Sequence, residues 1–199
     1  MAEGFLLSWK MISSTDGSII ASDAFVNSDY MMLADGVVAN VLPKLAESCG
    51  LSESGVEPKK VADLTTSSAE AYSHFVDGLH AADEFRLEDA ETALLKATML
   101  DTTFALAYSH LAQVHLLQNN YDVAKTLAEK AWRKRFKLTE KDRLRLEAFR
   151  AELNMDPQTA RAANEAILER FPDDIDALQS TIHTIFRQGH LDDAFKHSD

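Results

Sequence analysis

Sulfur chemistry is nearly absent from this sequence. Cys49 is the only cysteine, which excludes a disulfide framework and a cysteine-based zinc site and fits a reducing compartment. Cys49 also lies in a Ser- and Gly-rich stretch with no activating neighbour, so it is not read as a nucleophile. Proline and glycine are scarce, at four and seven residues in 199, which points to long regular elements, mostly helices. With so few glycines there is no G-x-G-x-x-G or Walker phosphate loop, and no G-x-S-x-G nucleophile elbow. No run approaches the roughly 18 apolar residues of a membrane span. The opening "MAEGFLLSWKMISS" lacks the basic start of a signal peptide, so a cytoplasmic location is expected.

Basic residues are outnumbered, 20 against 32 acidic, for a formal charge of −12. Residues 1–124 carry 6 basic and 18 acidic side chains, and residues 151–199 carry 4 and 10. Residues 125–150 reverse the balance with 10 basic and 4 acidic. An acidic body repels nucleic acid and anionic membranes, which disfavours both as partners. The basic island "KTLAEKAWRKRFKLTEKDRLR" is the local exception. Its Trp132 and Phe136, four apart, share a helix face. They are expected in the core beneath a solvated basic surface, with a docking patch for an acidic partner as the functional alternative.

The residues that are present divide the chain in two. Phe5, Leu7, Trp9 and Met11 alternate with more polar residues, a strand pattern. Asp16-Gly17 supplies a turn and "SIIASDAFV" a second strand, giving a hairpin over residues 5–26. A helix comes next, capped by Ser28 or Asp29, with Ala34, Val38, Val41 and Leu45 on one face and Pro43 expected to kink or shorten it. Residues 1–48 thus form a partial α/β segment and residues 49–63 a linker. A hairpin and one helix cannot stand alone. They are expected to be the tail of a larger domain, or else to pack on the helical part of the chain.

From Leu64 onward the pattern turns helical, with small residues at fixed places. In "FALAYSHLAQVHLLQNNYDVAKTLAEKAW" the alanines 107, 112, 124, 128 and 131 sit where a lone amphipathic helix would gain from larger side chains. Ala90, Ala124, Ala160 and Ala194 are spaced by 34, 36 and 34 residues. Seven after the first three come Ala97, Ala131 and Ile167; twelve before the four come Gly78, Ala112, Ala148 and Ile182. Small residues let helices cross closely while larger neighbours fill the grooves. Tyr108 and Leu111 supply the large residues of the second unit, Asp156-Pro157 opens a helix, Pro172 closes one and Gly189 marks a turn.

With this period and these positions, residues 64–199 resemble the tetratricopeptide repeat (TPR) family. The resemblance implies a mainly α fold, an α-solenoid of antiparallel helix hairpins in about four units. The last unit stops mid-helix at "FKHSD", so the natural chain is expected to continue. The hairpin "STDGSIIAS", the upstream helix and "VADLTTSSAEAYSHFVDGL" also look like a TolB- or FlgO-like segment that leads into such repeats in bacterial signalling proteins.

The TPR resemblance places ligands in the groove lined by each unit's first helix. The corresponding positions are Tyr72, Phe75 and Leu79 in unit one and Leu106, Ser109, Gln113 and Leu116 in unit two. Unit three gives Arg145 and Phe149, and unit four Gln179, His183 and Phe186. That strip reads as apolar with a few hydrogen-bonding groups, suited to a helix or extended peptide. It lacks the Lys/Arg/Asn cluster that grips a C-terminal carboxylate in chaperone-binding relatives. The histidine spacings, five for His110–His115 and six for His74–His80, miss the i,i+3 or i,i+4 of helical metal ligation, so packing is expected of them. The acidic runs "DDID" and "LDDA" are read as helix N-terminal charges. No cofactor and no metal are expected, and no enzymatic activity. The reading is a protein- or peptide-binding scaffold, with self-association possible through the same groove. The alternative is the regulatory or sensor region of a kinase, cyclase or transcriptional regulator whose output domain lies elsewhere.

Overall fold

A computed structural model describes residues 5–27, 30–48, 60–182 and 185. The chain forms two compact units, Met1–Ala69 and Glu70–Asp199.

In the first unit β1 (Phe5–Ile12) pairs antiparallel with β2 (Ile19–Asn27), with Trp9 opposite Asp23 and a register shift between Met11 and Ile12. The turn closes through Ser13 N–H donating to Ser18 O, while Gly17 takes the left-handed φ of 73°. Asp16 holds it, accepting from the Ser18 amide and hydroxyl at 3.1 and 2.8 Å. Helix α1 (Tyr30–Ser48) packs on this hairpin; a Cβ at Gly36 would touch the Phe25 ring at 3.8 Å. Two expectations shift. Pro43 neither shortens nor ends α1, which continues to Ser48. Leu33, outside the apolar face named from sequence, is buried, whereas Leu45 of that face is exposed. A short helix α2 (Val61–Leu64) begins in the stretch read as linker and ends one residue beyond it; residues 49–59 lie outside the described residues.

The second unit is a series of helical hairpins. The first is α3 (Ala69–Asp83) with α4 (Leu87–Leu100), and the second α5 (Ala105–Leu117) with α6 (Tyr121–Arg133). After a 3-10 turn at Arg135–Lys137 comes the third, α7 (Glu140–Leu153) with α8 (Pro157–Arg170). Helix α9, residues 175–182, opens the next.

Each described hairpin turns the same way. Phe85, Asn119 and Met155 adopt φ of 57°, 63° and 60°. The amide after each reaches back five residues, from Arg86 to Ala81 O, Asn120 to His115 O and Asp156 to Ala151 O, at 2.8 to 2.9 Å. This left-handed C-terminal closure satisfies carbonyls that the helix end would otherwise orphan. All three residues stand five before the recurring alanine, the register of Gly189 in the fourth unit, which lies outside the described residues.

The small residues do what close crossing requires. Ala90, Ala124, Ala160, Ala97, Ala131, Ala112 and Ile167 are fully buried, and Gly78 and Ala148 are buried beside their partner helices. Unit four departs: Ile182, at the small position, is 65% exposed. Phe104, fully buried at the entry to α5, anchors the first two hairpins with its ring 4.9 Å from that of Phe75. Burial of such a ring stabilises by roughly 2–3 kcal/mol. The observed architecture is therefore mainly α, a TPR-type stack of antiparallel hairpins, together with a small β-hairpin and helix.

Candidate functional site

The first helices α5, α7 and α9, with the second helix α8 at the base, line an open cavity of about 350 Å³. Five of the residues placed there by sequence line it: Leu106, Ser109 and Gln113 from α5, and Arg145 and Phe149 from α7. Gln179 is exposed, and its neighbours Asp176, Ala177 and Ser180 form that wall instead. Phe75 is 4% exposed and belongs to the core, with Tyr72, Leu79 and Leu116 packed against that core. His183 and Phe186 lie outside the described residues.

The cavity is more polar than its sequence pattern suggested. His110, Asp142, Glu152 and Asn164 join the wall, residues that the groove positions had omitted. Asn164, buried in the second helix of unit three, donates from Nδ2 to Ser180 Oγ at 2.8 Å. Ser180 in turn donates to Glu152 Oε1 at 2.6 Å, tying α7, α8 and α9 together at the floor. A buried asparagine amid the alanines of "ARAANEAI" was the one visible signal for this network.

Arg145 has a structural duty. Its guanidinium donates to Asp174 and Asp176 at 2.9 Å each, and Lys141 Nζ reaches Asp174 at 2.6 Å. Asp174 is buried, and its other oxygen caps α9 by accepting from the Ala177 amide at 2.9 Å. Burial pushes this carboxyl up, but the Lys141 and Ala177 hydrogen bonds and the nearby Arg145 charge outweigh it and hold it below the usual range. The "DDID" run therefore does more than favour a helix dipole: one of its aspartates pins α9 to α7.

His110 is half-buried, its ring 5.5 Å from Phe75 and edge-on. Burial drives its pKa below the ordinary 6.5, against a smaller upward pull from Asp142. His115 is buried with Nε2 at 3.8 Å from Glu91, and His74 sits 4.0 Å from Asp77. Among the described residues no three His, Cys, Asp or Glu side chains converge as metal ligands.

The basic island corrects an expectation. Helix α6 ends at Arg133, and the 3-10 turn beyond it swings Phe136 outward, so it is 75% exposed rather than in the core. Trp132 stays half-buried between two guanidiniums, Arg150 at 4.4 Å and Arg135 at 4.8 Å from its ring centre.

No protein-family model matches the sequence, and no curated protein matches it. Solved structures do match. The first TPR of Spaghetti (RPAP3), bound to the HSP90 peptide SRMEEVD, aligns with a TM-score of 0.50 at 13% identity, covering 61% of this chain and 98% of that one. The Arabidopsis OM64 TPR domain gives 0.45 at 17%, covering 57% and 93%. YrrB, described as a TPR protein with an unusual peptide-binding site, gives 0.46 at 23%, covering 63% and 64%. Likeness at these identities establishes a TPR-like fold and nothing finer. No helix among the described residues is long and apolar enough to cross a membrane.

Proposed function

We propose that the helical unit is a non-enzymatic protein-interaction module that holds a peptide in the groove of its first helices. One observation carries the reading: a single cavity is walled by α5, α7 and α9, first helices of successive hairpins, with apolar and hydrogen-bonding side chains together. Leu106 and Phe149 offer an apolar seat, while Gln113, Asp142 and Glu152 offer polar partners to an extended backbone or a short helix. Capture of a C-terminal carboxylate does not fit, because Arg145, the cation on the wall, is already engaged by Asp174 and Asp176. The peptide held by the RPAP3 domain is accordingly not carried across.

Peptide-display selection against the full chain, then calorimetry of the selected sequences, tests this. Gln113→Trp, at an exposed position, would fill the groove, and Phe149→Ala would remove its apolar seat. Each should weaken binding about tenfold or more. Unchanged titrations with both variants would reject the groove, and loss of the cavity by self-association, seen as a concentration-dependent dimer, would replace an external partner with a second copy. The other reading, a regulatory or sensor region of a bacterial signalling protein, has in its favour the order β1-β2-α1 ahead of the repeats. The matched structures lend the TolB- or FlgO-like resemblance no support, and the coding sequence around this segment would decide it.

A further inference from the structure

We propose a second docking surface, away from the groove, where the end of α6 and the 3-10 turn receive an acidic protein segment bearing an apolar side chain. The cations of residues 125–150 fall into two populations. Lys141 and Arg145 are bound to Asp174, Arg150 to Glu129 and Arg143 to Glu140, so these serve the fold. Lys125, Lys130, Arg133, Lys134, Arg135 and Lys137 have no carboxylate within 4.0 Å among the described residues. Lys130 and Arg133 are three apart on α6, Lys134 caps that helix, and Arg135 and Lys137 flank Phe136 in the turn.

Two of these cations are positioned by rings instead of acids. Arg135 lies over Trp132 at 4.8 Å and donates to the Trp132 carbonyl at 3.1 Å, and Lys134 lies 5.4 Å over Tyr108. Stacking holds a side chain still while leaving its charge unneutralised, which lowers the ordering entropy that binding must overcome. Beside them the Phe136 ring is largely exposed to water. An exposed aromatic flanked in the turn by the unpaired Arg135 and Lys137 is complementary to carboxylates that pair with those cations around one apolar contact on Phe136. The formal charge of −12 argues against a polyphosphate, which would feel the whole acidic body, whereas a short acidic segment samples the local field.

Fluorescence anisotropy of the full chain with a labelled, Asp/Glu-rich peptide carrying one central leucine tests the surface. Saturable binding that weakens with salt is expected. Phe136→Ser, and separately Arg133→Glu with Lys137→Glu, should each reduce affinity about tenfold. The thermal melt should not move with Phe136→Ser, since the ring is 75% exposed. Gln113→Trp should leave this affinity unchanged, which separates the surface from the groove. The proposal fails if the acidic peptide does not saturate, if Phe136→Ser binds as the parent does, or if Gln113→Trp abolishes binding. It also fails if a single-stranded oligonucleotide binds more tightly than the peptide, which would assign the patch to nucleic acid.

Discussion

Gly78 faces Leu94 so closely that a Cβ at position 78 would lie 2.6 Å from Leu94 Cγ and 2.9 Å from Cδ2. Leu94 is fully buried, so it has nowhere to turn. In an open helix, exchanging glycine for alanine gains roughly 1 kcal/mol. Here overpacking, typically about 1–3 kcal/mol, should win. Gly78→Ala is expected to lower the urea midpoint, and Leu94→Ala in the same chain should cost less than the two changes added separately. An unchanged or raised midpoint for the single variant would show that α3 and α4 are not packed so tightly.

The three left-handed turns make the opposite forecast. An L-residue in that conformation costs roughly 1–2 kcal/mol, and glycine avoids it. Phe85 and Met155 are both largely exposed, so little packing is lost on removing their side chains. Phe85→Gly and Met155→Gly should each stabilise by about 0.5–1 kcal/mol, after allowing for the glycine's extra freedom when unfolded. Calorimetric melting would check the sign, and a fall in both would contradict the observed turn geometry.

Asp174 joins two roles that substitutions can separate. Asparagine keeps an acceptor for the Ala177 amide but loses the ionic links to Lys141 and Arg145. Both cations reach solvent, so the loss should be about 1–2 kcal/mol and below that of a fully buried pair. Asp174→Ala also removes the cap, for about 1 kcal/mol more. The folded carboxyl titrates below its ordinary value of 3.8, so its contribution is present above that pH and disappears as pH falls through the folded value. The acid end of the stability profile should therefore flatten in Asp174→Asn.

His110 should set a second, milder pH dependence. Burial favours its neutral form, so the folded protein takes up this proton at lower pH than the unfolded chain does. Stability is whole above the ordinary value of 6.5 and declines as pH drops below it, until folded His110 is protonated. His110→Gln should remove that decline from chemical-denaturation curves taken between neutral and mildly acid pH. An identical slope in parent and variant would show that His110 titrates alike in both states.

The recurring alanines, Gly78 and the hairpin register were legible because a repeat writes its closest contacts at fixed offsets. The rule that a crossing helix needs a small residue is local. The strand alternation and the Asp16-Gly17 turn were legible for the same reason, since each depends on neighbours a few positions away. Phe136 was misplaced because its helical phase holds only while the helix continues, and α6 ends at Arg133. The polar floor of the groove was missed because Glu152, Asn164 and Ser180 belong to three helices, and the ends of the network stand 28 positions apart.

By itself the sequence determined that this chain folds its larger part into stacked helical pairs, because periodic side-chain size dictates how closely neighbouring helices approach. Tertiary structure alone decided that Asp174 would be an internal pin, that Arg145 would be engaged, and that an aromatic ring would stand among unpaired cations. Those outcomes depend on which distant groups share a low-dielectric contact or are left in water, and chain order does not encode that distance directly.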